Sequence, residues 1–265
     1  LFSSFGIAGA RETIVTTPGQ AQTALSALGE RAVLKILSSE ILHKSEIGGV
    51  AVNVTAATIS HRLLQMTQDV TDKAGITPKR FLVQEMVSGG IEIILGMHRD
   101  VLGVAILLGM GGVTAELLQD TTLRLLPSEG GLSAETAREM ALSLKTWPLL
   151  DGYRGRPKAD VEALVKAIVD FSTMVATLGD RLLEAEINPL FVLEHGQGVK
   201  VVEPFALWRA RHVGHQVQLA RAQGIEARLP GAGHVFECPL LARCHQLQQV
   251  YEDARSLATG VDKYL

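Results

Sequence analysis

Short apolar runs alternate along the chain with longer segments in which apolar residues recur every three or four positions. The runs are typical of buried strands, whereas the longer spacing is typical of helices that bury one face. Strands are predicted at 13–15, 32–37, 50–54, 81–86, 91–96, 103–108, 182–187, 190–193 and 199–203. Helices are predicted at 18–28, 58–73, 134–145 and 161–178. The pattern therefore predicts a mixed α/β fold.

The residues after position 203 differ from those before it in the secondary structure that their pattern predicts. A proline at position 204 ends the last predicted strand, and the stretches 207–223 and 239–258 have the composition of two helices. We therefore expect a main domain at 1–203 followed by a C-terminal helical extension at 204–265.

Composition narrows the class of protein. The 265 residues carry a net charge of −3, so the chain lacks the surplus of basic residues that would indicate nucleic-acid binding. Its apolar runs are too short to span a bilayer. The two cysteines, Cys238 and Cys244, exclude a disulfide framework and favour a reducing compartment. No basic segment followed by a long apolar stretch opens the sequence. We expect a cytoplasmic protein that binds neither membrane nor nucleic acid.

The cysteines of the C-terminal segment also permit a zinc interpretation. Cys238, Cys244 and His245 lie close together in sequence, and His234 precedes them. Their spacing matches none of the usual ligand pairs of structural zinc sites, so we interpret them as structural residues.

One lysine interrupts an apolar predicted strand. Burial of an ammonium group is costly unless an anion meets it, so Lys35 is a candidate ligand for an anion. The alternative is a strand-end lysine that reaches solvent. The loop 41–50 follows, with His43, Lys44 and a Gly-Gly pair whose N–H groups permit close approach of phosphate. The same loop also fits a plain polar turn.

A pair of oxygen-bearing side chains marks a later strand. Glu186 and Asn188 are two residues apart, so they share one face of the strand and would suit a magnesium ion that keeps water and phosphate as its other ligands. Glu203, at the far end of the following hairpin, is placed to add a third oxygen. The alternative is a set of solvated strand residues.

Several of these segments together resemble one family. The stretch 33–54, the run Gln-Glu-Met-Val at 84–87 and the run Glu-Ile-Ile-Leu-Gly at 92–96 look like the ATP-grasp domain of the ADP-forming acyl-CoA synthetases. Gly-Met-Gly-Gly at 109–112, Gly-Tyr-Arg-Gly at 152–155 and Glu-Ile-Asn-Pro-Leu at 186–190 are similar to later motifs of that family. The resemblance covers 1–203 in the family's order.

The resemblance implies a fold and a set of roles. Two α/β lobes, at about 1–83 and 84–203, would close on ATP between them, and His43 in the family's His-Lys-Ser motif would relay the phosphoryl group. Lys35 would contact the phosphates and Glu85 the adenine edge. The nucleotide-binding set that the resemblance implies is Lys35, Glu85, Glu92, Gly111, Gly112, Arg124 and Arg154, and the magnesium ligands are Glu186, Asn188 and Glu203.

The resemblance also implies a reaction and partners. The family converts an acid, CoA and ATP into acyl-CoA, ADP and phosphate, with ATP/ADP and Mg²⁺ as cofactors. The CoA-binding domain and a second histidine-bearing domain are not found in this sequence, so they would belong to a separate subunit or to the rest of a fused chain. The small carboxylic acid or acyl-CoA would bind through them. Glu203 stands where the family usually has Asp.

Two other functions remain open from the sequence. An ATP-grasp module of a larger acyl-CoA-linked protein would sense nucleotide without turnover, but it would have no need of His43. A carboxylate–amine ligase of the broader ATP-grasp group would also lack that need. The set Lys35, His43, Glu85, Glu186 and Asn188 therefore favours the phosphoryl-transferring enzyme component.

Overall fold

The computed structural model describes residues 1–38, 41, 44–100, 103–112, 118, 120–202, 204–209, 219–223 and 226–228. The chain divides into two units, Leu1–Leu229 and Pro230–Leu265, and the second lies entirely outside the described residues. In the portion that is described, no helix is both long and apolar enough to cross a bilayer.

The described secondary structure consists of helices and antiparallel strands. The strands are β1 Glu12–Val15, β2 Arg31–Ile36, β3 Val50–Thr55, β4 Phe81–Glu85, β5 Ile91–Asp100, β6 Gly103–Met110, β7 Thr121–Leu125, β8 Leu182–Val192, β9 Val199–Val201, β10 Pro204–Arg209, β11 Leu219–Gln223 and β12 Glu226–Arg228. The α-helices are α1 Pro18–Leu28, α2 Ile59–Ala74, α3 Ala134–Ser143, α4 Trp147–Leu150 and α5 Val161–Leu178. Short 3₁₀ helices span Phe2–Phe5, Tyr153–Gly155 and Gly179–Arg181.

The first sheet has four strands in the order β1-β4-β2-β3. Helices α1 and α2 cover one of its faces, where they bury apolar side chains of the strands in a core cluster. Thr17 caps α1 by accepting a hydrogen bond from the Gln20 N–H, and Pro18 occupies the first turn, where it loses no helical hydrogen bond.

The outer strand of the first sheet is irregular. Ala32 pairs with Val54 but Leu34 pairs with Ala51, so β3 holds one residue more than β2 over this interval. Asn53 adopts a positive φ of 58° at the bulge. Val52, beside it, is 62% exposed.

The second sheet has eight strands in the order β12-β11-β10-β8-β5-β6-β7, with β9 also paired to β8. Helices α3 and α5 pack on one face and form the larger core with it. The chain start adds to this core, since the ring of Phe2 stacks on Phe171 with centroids 6.4 Å apart. The linker 86–90, which contains two glycines with positive φ, carries the chain from the first sheet into the second.

Each sheet has one helix-covered face and one face that carries polar side chains. Because directly paired residues lie on the same face, the register groups Glu12 with Gln84 on the first sheet, and Glu186 with Gly96 on the second. Their neighbours along each strand, such as Val83 and Ile187, point into the cores. The polar faces are therefore where binding residues can lie.

The structure corrects the interpretation of the C-terminal region. The prediction of a helix at 207–223 is wrong for the part of that range that the structure describes. Residues 204–209 and 219–223 are strands that extend the second sheet. β10 pairs with β8, which supplies the hydrogen-bonding edge that local sequence does not reveal. The predicted helix 239–258 and the cysteines and histidines around it lie outside the described residues.

Asp160 ties the start of α5 to the β8–β9 turn. Its carboxylate accepts hydrogen bonds from the N–H groups of Ala163 at 3.2 Å and of Gly196 and Gly198 at 2.9 Å each. Burial alone would raise the pKa of Asp160, but the hydrogen bonds from Gly198, Ala163 and Gly196 outweigh it and hold the pKa below its ordinary value.

Replacement of Asp160 with alanine is expected to lower the free energy of unfolding at neutral pH by about 2 kcal/mol, because a helix cap and two turn contacts are lost. A carboxylate whose pKa is lower in the folded than in the unfolded protein stabilises the fold at every pH above its unfolded-state pKa. That stabilisation is lost as the pH falls through its folded-state pKa. Denaturant titrations should therefore show a difference in the free energy of unfolding between the unaltered chain and Asp160→Ala, and this difference should become smaller at acidic pH. Asp151→Ala, at an exposed ion pair with Lys158, is the control, and an equal loss there would contradict the prediction.

Candidate active site

Lys35 lies on the polar face of the first sheet. Val33, on the same face of β2, pairs with Gln84, and Gln84 pairs in turn with Glu12. The amide nitrogen of Gln84 donates to a Glu12 carboxylate oxygen at 2.8 Å. Lys35 is 8% exposed, so its side chain does not extend freely into solvent. A buried ammonium thus lies on the same face as a buried amide and a carboxylate.

The charge of Lys35 acts on Glu12. Burial raises the pKa of Glu12, and the hydrogen bond from Gln84 and the attraction of the Lys35 ammonium offset this rise only in part. This carboxylate therefore resists ionisation more than an ordinary glutamate.

The described part of the loop 41–50 is attached to the end of β2. The N–H of Gly49 donates to the carbonyl of Lys44 at 2.6 Å, and the carbonyl of Gly49 accepts from Ile36 at 2.9 Å. A Cβ at Gly49 would come within 2.8 Å of the Ile36 side chain, so only glycine fits without a shift. The turn that follows the His-Lys-Ser motif is therefore held beside the strand that carries Lys35.

Two predicted site residues lie outside the described residues. They are His43 and Glu203. The neighbours of position 203 are described: the N–H of Val202 donates to the carbonyl of Pro189 at 3.3 Å, and Pro204 pairs with Ile187.

Glu85 is the last residue of β4 in the first sheet. Its carboxylate accepts a hydrogen bond from Arg11 Nε at 2.7 Å and another from the Lys200 ammonium. Burial alone would raise the pKa of Glu85, but the bonds from Lys200 and Arg11 outweigh it and lower the pKa. Both carboxylate oxygens are therefore engaged with cations, and the contact of Glu85 with the adenine edge stays a prediction from the resemblance.

Glu186 and Asn188 lie on one face of β8, as the alternation of side chains predicts. The amide nitrogen of Asn188 is 3.1 Å from Glu186 Oε1. Neighbouring ligands of a magnesium ion that binds at about 2.1 Å lie about 3 Å apart, so a turn of the Asn188 amide would present two oxygens at a fitting separation. Among the residues whose positions are given, no three acidic, histidine or cysteine side chains cluster as a metal site.

Glu92, Gly111 and Gly112 come together at the ends of β5 and β6. The N–H of Gly111 donates to the Glu92 carbonyl at 2.7 Å. A Cβ at Gly111 would lie 3.0 Å from Glu92 atoms, and Gly112 has a φ of 73°. The two glycines therefore allow the backbone to pack directly against Glu92, which brings three predicted nucleotide-binding residues into one group.

The structure places the two predicted arginines away from that group. Arg124 pairs with Ile106 on the helix-covered face of the second sheet, and its guanidinium donates to Thr122 and to the Leu123 carbonyl. Arg154 is exposed in the 3₁₀ turn, with its guanidinium carbon 5.3 Å from the centre of the Tyr153 ring. Among the described residues, neither arginine forms a hydrogen bond or an ion pair with another predicted site residue, and both remain predictions from the resemblance.

Residues 1–203 match the family described as the ATP-grasp domain. The chain belongs to the ATP-grasp family. The resemblance to the ATP-grasp domain of the ADP-forming acyl-CoA synthetases is confirmed by relatives and by solved structures.

Two relatives show how this ATP-grasp chain relates to whole enzymes. The β subunit of acetate–CoA ligase (ADP-forming) II from Pyrococcus furiosus is 30% identical over 206 residues, which cover 77% of this chain and 86% of that subunit. The 4-hydroxybutyrate–CoA ligase (ADP-forming) of Nitrosopumilus maritimus is 32% identical over 208 residues, 77% of this chain but 29% of that enzyme. The chain thus spans less than a third of the longer relative.

Solved structures of similar proteins share the fold. The dinucleotide-forming acetyl-coenzyme A synthetase 1 of Candidatus Korarchaeum cryptofilum, in complex with coenzyme A and Ca-AMPCP, has a TM-score of 0.69 and 30% identity, and the match covers 77% of this chain and 87% of that one. The same enzyme with coenzyme A and Mg-AMPPCP, its phosphohistidine segment pointing towards the nucleotide-binding site, gives 0.66 and 29% identity, with 78% and 88% covered.

Sequence reasoning did not single out four polar residues that contact Glu85 or lie beside Lys35 on the first sheet. They are Arg11, Glu12, Gln84 and Lys200. Gln84 offered a usable signal, since a buried amide in an apolar strand needs partners. Lys200 stands in a second apolar strand, as Lys35 does, so the same sequence signal marks it, and its side chain is 31% exposed.

Proposed function

We propose that this chain is the nucleotide-binding, phosphoryl-transferring component of an ADP-forming acyl-CoA synthetase. The observation that carries the proposal is the arrangement of two polar groups on the faces without helices. Lys35 lies on one sheet, on the strand to which the turn 44–49 is hydrogen-bonded, and Glu186 lies with Asn188 on the other sheet. A cation for phosphate and an oxygen pair for magnesium are the two parts that phosphoryl transfer requires.

In the proposed reaction an imidazole nitrogen of His43 attacks the terminal phosphorus of ATP. The bond from that phosphorus to the bridging oxygen breaks, ADP leaves, and the phosphoryl group remains on the histidine until an acceptor on the partner domains takes it. Lys35 holds phosphate oxygens and stabilises the charge that develops on the transferring group. Magnesium, when bound at Glu186 and Asn188, would neutralise further phosphate charge.

The partner domains of this proposal bind CoA and carry the acyl chemistry. The Pyrococcus furiosus relative is a β subunit, and the Nitrosopumilus maritimus relative extends far beyond the matched region. A small carboxylic acid or its CoA ester is the substrate class, and we propose that it binds outside the residues of this chain.

The proposal is tested by calorimetric titration of the chain with ATP, with and without magnesium. We expect binding that strengthens when magnesium is added. A folded chain that binds ATP in neither condition would contradict the proposed function.

Glu186→Gln is expected to reduce the magnesium-dependent part of ATP binding by roughly tenfold or more, because a charged oxygen ligand is replaced by a neutral one of the same shape. Binding without magnesium should change little. The matched control is Glu194→Gln at an exposed position near the β8–β9 turn. If both variants retain the full effect of magnesium, Glu186 does not hold the ion.

A further inference from the structure

The two sheets are joined at a short segment of β9. The N–H of Ala10 donates to the carbonyl of Val201 at 2.8 Å, and the N–H of Val201 donates to the carbonyl of Ala8 at 2.9 Å. One residue further on, the carbonyl of Arg11 accepts from the N–H of Glu85 at 2.8 Å. The chain that leads into β1 is thus bound to the second sheet on one side and to β4 of the first sheet on the other.

Side chains reinforce the same junction. Lys200, on β9 of the second sheet, forms an ion pair with Glu85 of the first sheet. Arg11 binds the other oxygen of Glu85 and donates to the carbonyl of Leu28 at the end of α1, at 2.9 Å. The amide nitrogen of Gln84 also donates to the carbonyl of Val202, at 3.0 Å. In this network of side-chain contacts, Lys200 is the positively charged residue that the second sheet contributes.

This junction connects the two sheets that carry the two halves of the proposed site. Lys35 belongs to β2, which pairs with β4, so its place is fixed by the first sheet. Glu186 and Asn188 belong to β8, the strand to which β9 is paired, so their place is fixed by the second. Phosphate and metal can be engaged together only when the two sheets keep the correct relation to each other.

We propose that Lys200 is a positioning residue that couples the phosphate-binding lysine to the magnesium-binding pair by holding Glu85 against the second sheet. The inference rests on the proposed function of the site. Among the described residues, loss of Lys200 would leave the Glu85 carboxylate, with 9% side-chain exposure, paired to Arg11 alone, whose side chain is 61% exposed. A buried carboxylate without adequate compensation is unfavourable, so Glu85 would move towards water and the junction would loosen.

The test compares Lys200→Met, which removes the charge but keeps the length of the side chain, with Lys200→Arg, which restores the charge. We expect Lys200→Met to reduce the strengthening of ATP binding by magnesium about tenfold, while the dissociation constant without magnesium changes less than about twofold. Lys200→Arg should recover most of the effect. Lys158→Met, which breaks the exposed pair with Asp151, is the control and should behave as the unaltered chain.

A second measurement, amide hydrogen exchange without nucleotide, separates this inference from the proposed function. Faster exchange at the N–H groups of Ala10, Glu85 and Val201 in Lys200→Met, and not in Lys158→Met, would support the junction role even if the chain bound no ATP. Unchanged exchange would overturn it. Equal weakening of ATP binding with and without magnesium would also overturn it, because Lys200 would then be an ordinary nucleotide contact.

Discussion

Replacement of His43 with alanine is expected to abolish phosphoryl transfer to and from the partner domains while ATP binding stays nearly intact. The imidazole is the group that takes the phosphoryl in the proposed reaction, and alanine offers no nucleophile in its place. The measurement is transfer of labelled phosphate from ATP to the chain, followed by acid treatment, because a phosphoryl group on histidine nitrogen is labile in acid. The loss should be complete within the detection limit.

The control for this variant is His61→Ala, at an exposed position on α2. It should be labelled as fully as the unaltered chain. Labelling that persists in His43→Ala would remove the relay role from His43, because another residue would then carry the phosphoryl group. Labelling absent from the unaltered chain despite ATP binding would instead favour a nucleotide-sensing module.

Lys35→Ala is expected to weaken ATP binding by about 1.5–3 kcal/mol, which is the range for loss of a hydrogen bond to a charged group. This corresponds to a rise in the dissociation constant of roughly 10- to 150-fold. The effect should be large because Lys35 is 8% exposed, and water cannot readily replace its ammonium beside the phosphates. Calorimetric titration measures the change directly.

Lys73→Ala, in the exposed last turn of α2, is the matched control and should leave ATP binding unchanged. Lys35→Ala has a second consequence that does not require nucleotide. The attraction of the ammonium lowers the pKa of Glu12, so its removal should raise that pKa further, and NMR titration of the Glu12 carboxyl can follow this. A dissociation constant equal to that of the unaltered chain would show that Lys35 does not contact the phosphates.

Local pattern was sufficient for most of the helices and strands before position 203. The spacing of Ala21, Ala24 and Leu25 placed α1 correctly, and Thr17 and Pro18 marked its start. The long apolar stripe of 161–178 predicted α5 with its observed bounds. These elements are encoded in neighbouring residues, because capping and helical periodicity act within one or two turns.

Strand pairing between distant segments was harder to predict from the sequence. β7 was missed, because Thr121–Leu125 carries only partly buried or exposed side chains and resembles a polar loop. The strands β10 and β11 were taken for helix, because their strand character comes from pairing with β8 and with each other. Such ladders depend on which backbone edge is free, a property that no local window contains.

The same limit applies to the candidate site. Glu186 and Asn188 were grouped correctly because the period of a strand relates them directly. The partners of Glu85 are 74 residues before it and 115 after it, so no spacing rule connects Arg11 or Lys200 to it. The roles of the individual residues stay predictions until the variants above are measured.

The bulge on β3 has a consequence for how the isolated chain behaves at high concentration. An exposed outer strand is a template on which a second molecule can add its own strand, and this is a common route to aggregation. The extra residue of β3 and the positive φ of Asn53 break the regular row of N–H and carbonyl groups that an added strand would need. Despite the exposed Val52, this edge is therefore protected against β-sheet polymerisation.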